Sequence, residues 1–341
     1  MIPAISSQRR PAWFDLPAPF VFGWREVFIP LAVVVHDQHG PVLAMAGLAV
    51  AAARVGGWFV TRSSAARRVR TSALLAALAL LLLGLTPEEG PAGLLLWLVF
   101  GIAWSLVEVA LAAHDLSRWL VSVALLAGMA LAGPLAAGPG AWLVAALCLL
   151  IAWRAGPVLE AAPDREAADH WVDAGSAARR LSFLFSASYL TWFWLMPARL
   201  LQEETALVWI GALAATHWLA RLLVANLVAA RLPGDHPSGW QAGAALVLAA
   251  ILAAVWFVPN TVAATMAVLI ASGAMLGVIA SDGAIARPEA GQRPSESQAL
   301  GEMLAPAAGA LLVLVIGQPA AFAAAALAAT AMTVVILRGA R

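Results

Sequence analysis

The sequence predicts an all-α integral membrane protein of twelve transmembrane helices, arranged as two pseudo-symmetric halves of six helices each. Of its 341 residues, 62% are hydrophobic and only 11% are charged. A water-soluble domain could not bury that much apolar surface, so the bilayer is the expected solvent. Unusual residues also recur at one spacing, because Arg54 and Arg221 lie 167 residues apart, as do Pro30 and Pro197. This coincidence indicates one six-helix unit used twice.

Twelve apolar runs have about the 20 residues that a helix needs to cross the hydrocarbon core. The first contains Arg25 and Glu26, which either form a mid-membrane pair or, as we expect, lie in the cytoplasmic first turns of a helix that begins late. The predicted spans are 17–36, 41–61, 71–86, 92–113, 119–138, 140–156, 182–201, 205–230, 239–258, 260–281, 298–316 and 319–338.

The placement of arginine predicts the orientation, since cytoplasmic connections are enriched in basic residues. The chain has no lysine, and sixteen of its arginines fall on the termini and on connections that share one side. The opposite connections are short and almost free of arginine. Both termini are therefore expected to be cytoplasmic. The abundance of Ala, Gly, Leu and Arg indicates a bacterial protein, and hence a multi-pass protein of the inner membrane.

The longest polar segment lies between the sixth and seventh spans and mixes acidic residues with arginines. We interpret this segment as a hydrated linker between two bundles. The predicted organisation is an N-terminal six-helix bundle at 1–156, a cytoplasmic linker at 157–181 and a C-terminal six-helix bundle at 182–341.

Three short motifs accompany this organisation. Residues 57–62, Gly-Trp-Phe-Val-Thr-Arg, precede Arg67 and Arg68 between the second and third spans, and glycine–proline segments stand at 128–138 and 301–309. Together with twelve helices and a central linker, they resemble the major facilitator superfamily of secondary transporters. Thr61 stands where that family has an acidic residue. The resemblance implies two bundles that rock about a midplane site.

Arginines inside apolar spans are functional candidates, because a charge facing lipid at the helix centre costs about 2.5–3.5 kcal/mol or more. Arg54 and Arg221 could face each other across a central cavity and form a forked anion site. Some anion carriers of the family, including nitrate/nitrite porters, use a similar pair on these two helices. The alternative is that each arginine snorkels to the cytoplasmic face.

Further candidates accompany this arginine pair. His217 precedes Arg221 by four residues and so shares its helix face, where it either couples protons or makes a polar packing contact. Glu108 is either a proton-coupling carboxylate or an ion-pair partner of Arg54 or Arg25. Three aromatic residues of the seventh span are expected to line the cavity, namely Tyr189, Trp192 and Trp194, and the first two are expected to contact the substrate.

Gating roles at the cytoplasmic side follow from the resemblance rather than from the residues alone. It places Glu302 near the turn after the second span, where it would pair with Arg62, and Asp115 near Arg231. Both pairs are expected to hold one conformation closed rather than to contact the substrate.

Other chemistries find little support in the sequence. Cys148 is the only cysteine, which excludes an internal disulfide and a cysteine-based metal or redox site. The segment 36–39, His-Asp-Gln-His, could bind a metal weakly, but a solvated loop is the favoured interpretation, and no metal site or cofactor is expected. Without lysine there is no nucleotide-binding loop, and hydrolase signatures are absent. We therefore expect neither an enzyme nor a nucleic-acid partner.

The leading hypothesis is a secondary active transporter of a small or medium anionic solute, coupled to protons or to exchange, with membrane lipids and the solute as its partners. The alternative keeps the fold without transport, as an assembly factor, lipid-handling scaffold or accessory subunit that associates with a larger membrane complex.

Overall fold

A computed structural model describes residues 16–35, 37–62, 69–85, 90–111, 118–136, 140–159, 176–231, 237–257, 261–281 and 296–339. Within these ranges the chain forms α-helices and two 3-10 turns, at Phe193–Leu195 and Val255–Phe257, and no β-strand. The helices are α1 (Pro17–Val34), α2 (Gly40–Arg62), α3 (Val69–Leu83), α4 (Pro91–Leu111), α5 (Arg118–Ala136), α6 (Gly140–Leu159), α7 (Ser176–Leu190), α8 (Met196–Gln202), α9 (Leu207–Arg231), α10 (Pro237–Ala254), α11 (Val262–Ile279), α12 (Glu296–Val315) and α13 (Gln318–Gly339).

The outer surface of this helical assembly is apolar. Helix α3 alone exposes Leu74, Leu75 and Leu78, and α13 exposes Leu327 and Leu337. Five helices are long and apolar enough to cross a membrane by themselves, namely α1, α9, α11, α12 and α13, and the described parts of α2 to α6 and α10 include shorter apolar stretches. Exposed leucines on this scale are stable only in lipid, so the chain is a multi-pass membrane protein.

Helix packing follows the same pattern in the first and second parts of the chain. In the first part α1 packs on α5, α2 on α4, and α3 on α4 and α6. In the second part α7 packs on α12, α9 on α11, and α10 on α11 and α13. The most extensive contacts between the parts are those of α2 with α12 and of α5 with α9. The described helices are therefore related in pairs, as the repeated arginine and proline suggested.

Glycine allows the closest of these approaches. A Cβ added to Gly273 of α11 would lie 2.1 Å from the carbonyl oxygen of His217 on α9. A Cβ on Gly211 of α9 would lie 2.3 Å from the carbonyl oxygen of Met129 on α5. Small residues at helix crossings are the usual device in lipid, where packing rather than water exclusion drives association.

The predicted continuous span at 182–201 is wrong, because the helix is interrupted between α7 and α8. Pro197 stands in the first turn of α8, where its missing N–H costs nothing. The last carbonyls of α7 find side-chain donors instead: the Thr191 hydroxyl donates to the carbonyl oxygen of Ala187 at 2.6 Å, and the Trp192 indole donates to that of Ser188 at 2.9 Å. These bonds stabilise a break that hydropathy does not detect.

Paired contacts give the directions of the helices. Helices α5 and α9 are antiparallel, because Gly133 lies against Leu207 and Gly211 against Met129, whereas α9 and α11 are parallel, because Gly273 lies against His217 and Gly277 against Arg221. We call the end of the assembly where α1, α3, α5, α8, α10 and α12 finish the arginine-poor end, and the other the arginine-rich end. Near the arginine-poor end, Leu31 of α1, Leu200 of α8 and Ile210 of α9 form a fully buried cluster. This apolar contact closes the assembly between its two parts.

Candidate functional site: a buried charge network

The buried network begins at Arg25 and Glu26, in the middle of α1. The expectation that the first helix begins late is wrong, because Pro17 occupies its first turn and starts the helix there. The side chains of Arg25 and Glu26 are only 5% and 2% exposed, and Arg25 Nε lies 3.5 Å from Glu26 Oε1. A carboxylate so deeply buried must be compensated by cations.

Arg54 supplies much of that compensation. Its Nη2 donates to Glu26 Oε2, and its Nη1 donates to Glu302 Oε2 at 3.1 Å. The guanidinium therefore binds one carboxylate from α1 and another from α12, and its side chain is 5% exposed. Glu302 also accepts a bond from Gln298 Nε2 at 3.1 Å. These charge-assisted bonds join the two parts of the chain inside the protein.

Tyr189 extends the network from the other side. The Tyr189 hydroxyl donates a hydrogen bond to Glu26 Oε2 at 3.5 Å. The same hydroxyl oxygen accepts a 2.9 Å hydrogen bond from the indole N–H of Trp218 on α9. Tyr189 is 4% exposed and Trp218 is 2% exposed. A second polar contact thus connects α1 with helices of the other part of the chain.

Arg221, the partner of Arg54 in the repeat, is 3% exposed and lies in the same region. Its guanidinium carbon stands 4.6 Å from the ring centre of Trp218 and 4.9 Å from that of Phe185, as in cation–π contacts. Trp218 in turn donates to the Tyr189 hydroxyl, and that hydroxyl donates to Glu26, which binds Arg54. The two predicted arginines are therefore connected through one buried tyrosine.

His217 is fully buried one helical turn from Arg221. Its Nδ1 lies 3.1 Å from both the carbonyl oxygen of Leu269 and Ser272 Oγ. Because the carbonyl can only accept, the structure favours a proton on Nδ1 and leaves the lone pair on Nε2. Nε2 is buried without a hydrogen-bond partner.

Aromatic rings enclose this imidazole. Tyr189 stacks on it at 5.2 Å, Phe193 lies at 5.0 Å and Trp192 meets it edge-on at 5.9 Å. The predicted site residues Tyr189, Trp192 and His217 are thus brought together, and the interruption after α7 places Trp192 there.

Several predicted residues lie outside the described part of the chain. These are Asp115 and the side chains of Glu108, Arg62 and Arg231. The gating pairs Arg62–Glu302 and Asp115–Arg231 therefore stay predictions, as does proton coupling by Glu108. The described partners of Glu302 are Arg54 and Gln298.

The loop after α1 contains Asp37 and His39, which are hydrogen-bonded to each other. The backbone N–H of His39 donates to Asp37 Oδ1 at 3.0 Å, and this bond, with a second one from the imidazole, holds the pKa of Asp37 below its usual value. Within the described residues no group of three or more metal-binding side chains occurs, and His36 falls outside them.

Sequence reasoning missed the central role of Glu26 and a second buried ion pair. Arg199 Nε lies 3.4 Å from Glu203 Oε1 and 3.3 Å from the hydroxyl oxygen of Thr265, near the arginine-poor end. The spacing of four residues between Arg199 and Glu203 was the available signal, because such residues share a helix face. The three groups tie α8 and the following connection to α11.

Comparison with known proteins bears on the fold. No protein-family model and no curated protein matches the chain. Among solved structures, a bacterial metal transporter is 16% identical with a TM-score of 0.67, covering 96% of each chain. A bacterial homologue of the iron transporter ferroportin, in its inward-facing state, is 13% identical with a TM-score of 0.68, covering 96% of this chain and 97% of that one.

A third solved structure has a different kind of cargo. The human organic anion transporter MFSD10 is 18% identical with a TM-score of 0.57, covering 95% of this chain and 97% of that one. The similarity extends over nearly the full length in each case, and all three are membrane transporters. The chain described here therefore has the major facilitator superfamily fold.

Proposed function

We propose that this protein is a secondary active transporter that works by alternating access. In this proposal twelve transmembrane segments form two pseudo-symmetric six-helix bundles, at 1–156 and 182–341, with α7 and α8 together forming the seventh segment. The linker at 157–181 and both termini lie in the cytoplasm of a bacterial cell, at its inner membrane. The repeated packing pattern of the described helices supports this architecture.

The observation that carries the proposal is the contact of Arg54 with Glu26 and Glu302. Buried ion pairs contribute little net stability, because desolvation offsets their attraction, and an apolar contact would hold two bundles together at least as well. A contact between the bundles of a transporter must instead form and break during each transport cycle. A charge pair allows this, because each charged group can bind a different partner when the bundles move.

The solute is proposed to be a small or medium anion. Arg25, Arg54 and Arg221 bring three permanently charged guanidiniums into the network. Such groups in a low-dielectric interior attract a negatively charged ligand. When the bundles separate at α12, the anion can replace the Glu302 carboxylate at Arg54.

Coupling to protons or to a counter-solute follows from the competition between the solute and the carboxylates for Arg54. Protonation of a carboxylate or binding of an anion changes which group Arg54 binds, and this changes the relative stability of the two bundle arrangements. The buried cluster of Leu31, Leu200 and Ile210 closes the arginine-poor end in this structure. The proposed solute path therefore opens next at the arginine-rich end.

Flux in proteoliposomes tests the proposal. Vesicles containing the purified protein are assayed for uptake of labelled nitrate, phosphate, lactate and succinate, with and without a pH gradient and with each anion inside for exchange. We expect uptake of at least one anion above that of empty vesicles. Arg221→Gln should reduce it about tenfold or more, because removing one group that binds a buried charge costs several kcal/mol.

The matched control is Arg70→Gln, which neutralises an exposed arginine in the first turn of α3. Its flux should equal that of the unaltered protein. Unchanged flux in Arg221→Gln would remove the arginine site from the proposal. A folded protein that moves none of these anions in any gradient would favour the non-transporting scaffold or accessory subunit.

A further inference from the structure

A cavity that is open to one side lies near the arginine-rich end, between α7, α12 and α13. Its volume is about 410 Å³, within the range of small-molecule sites. The lining is almost wholly apolar: the hydrocarbon stems of Arg179 and Arg180 of α7 form one side, with their exposed guanidiniums at the mouth, and Ser297 begins the wall formed by α12. None of these residues belongs to the network around Arg54.

The two arginines are exposed and have no carboxylate partner among the described residues. Each guanidinium presents N–H donors in a planar fork that matches the oxygens of a phosphate group, and the two arginines occupy neighbouring positions near the start of α7. The hydroxyl of Ser297 can add another donor. This side of the cavity therefore suits a phosphate rather than a neutral polar group.

The rest of the cavity is apolar. Phe183 and Leu184 continue one turn along α7 from the arginines, and Leu300 and Val335 face them from α12 and α13. Val334 and Leu337, the neighbours of Val335 on α13, are exposed on the apolar outer surface. The cavity therefore continues from a cationic mouth toward the surface that contacts lipid.

A ligand that fits both sides has an anionic head and a hydrocarbon tail. Basic pockets between transmembrane helices near the membrane surface are suited to anionic lipid headgroups. Arg338, exposed in the last turn of α13, adds positive charge to the same end. A soluble phosphate would use only the arginines and would leave the apolar walls facing water.

We propose that this cavity binds an anionic phospholipid, with its phosphate between Arg179 and Arg180 and one acyl chain along Phe183, Leu184 and Leu300. Its walls are α7 and α12, which also carry Tyr189 and Glu302. The lipid would thus hold together two helices that contribute to the central network. This site does not depend on the identity of the solute or on transport itself.

Lipid retention measured by native mass spectrometry tests the proposal. The protein is reconstituted into vesicles of phosphatidylcholine and phosphatidylglycerol at equal fractions, extracted in mild detergent, and scored for bound phosphatidylglycerol. The double variant Arg179→Gln/Arg180→Gln should bind phosphatidylglycerol about thirtyfold more weakly, as expected for two basic residues at an anionic surface. Arg70→Gln, which removes an exposed arginine from the first turn of α3 at the same end, is the matched control and should retain it fully.

A second pair of variants tests the apolar wall without changing charge. Leu300→Trp should fill the cavity and reduce retention, whereas Leu75→Trp, at an exposed position of α3, which does not line the cavity, should not. Equal retention in the arginine double variant and the unaltered protein would overturn the proposal. So would displacement of the bound species by millimolar inorganic phosphate with no effect of Leu300→Trp, because that result identifies a site for a free anion.

Discussion

Arg54 of α2 and Glu302 of α12 are joined by a 3.1 Å hydrogen bond although 248 residues separate them in the sequence. The same guanidinium binds Glu26, so it holds a carboxylate from each part of the chain. Removing the arginine would take a cation from both carboxylates at once, whereas removing Glu302 would leave Arg54 paired with Glu26. The two partners of this bond are therefore not equivalent.

The first prediction follows from this asymmetry. Arg54→Gln should destabilise the protein by about 3–5 kcal/mol, the cost of breaking a buried pair from one side. Glu302→Gln should cost about 1 kcal/mol, because the Glu302 side chain is 20% exposed and the amide can still accept a bond. Thermal unfolding in detergent, followed by tryptophan fluorescence, measures both. The double variant should be no less stable than Arg54→Gln alone, as expected for residues that interact directly. Equal losses for the two single variants would contradict the proposed geometry.

The second prediction concerns glycines at helix crossings. Gly273→Ala should lower stability by about 1–3 kcal/mol, because its Cβ would lie 2.1 Å from a backbone carbonyl oxygen that cannot move alone. Gly211→Ala should also destabilise, because it pushes α9 away from α5. The matched control is Gly243→Ala on α10, where no atom lies within 4 Å. That change should stabilise by about 0.5–1 kcal/mol through the helix propensity of alanine. Melting temperatures that fail to separate Gly243→Ala from the other two would show that these crossings are not close-packed.

Helix positions were largely predictable, because a run of apolar residues long enough to span lipid has few alternatives to a helix. The predicted run at 71–86 corresponds to α3 at Val69–Leu83, and that at 319–338 to α13 at Gln318–Gly339. The interruption before Pro197 was not predictable from hydropathy, because residues 191–195 are as apolar as the helices beside them. Only the bonds of Thr191 and Trp192 to the preceding turn reveal it.

The candidate site was predictable in its residues but not in their pairing. The equivalence of Arg54 and Arg221 follows from their spacing, and both are buried. Their described contacts differ: Arg54 binds Glu26, whereas the same offset places Phe193 at the position equivalent to Glu26. The rings that lie against Arg221 are those of Trp218 and Phe185. Which helices contact one another depends on how each helix is rotated about its own axis. A helix that is apolar all round has no hydrophobic stripe that would define this rotation.

The third prediction concerns the two nitrogens of His217. Asparagine places an amide near the position of Nδ1 and can retain the bond to the Leu269 carbonyl, whereas glutamine places its amide near Nε2. His217→Asn should therefore keep most of the free energy of unfolding. His217→Gln should lower that free energy by about 1–3 kcal/mol, because it leaves the buried Leu269 carbonyl without the imidazole donor. Both should lose flux if Nε2, which has no partner, serves the solute or a proton. Equal melting temperatures for the two variants would indicate that the Nδ1 bond is not made.

The fourth prediction uses the fact that Tyr189 is the only tyrosine in the chain. Growth with 3-fluorotyrosine labels this one position, which lies between Glu26 and Trp218 and contacts both parts of the chain. A ring in this place experiences a different electric field when the parts separate, so each arrangement should give its own fluorine resonance. Glu302→Gln removes a charge that joins the parts and should increase the minor resonance, whereas Arg70→Gln should leave the spectrum unchanged. A single resonance with one chemical shift in all three proteins would show that Tyr189 does not report on separation, and that the bond between Arg54 and Glu302 does not control it.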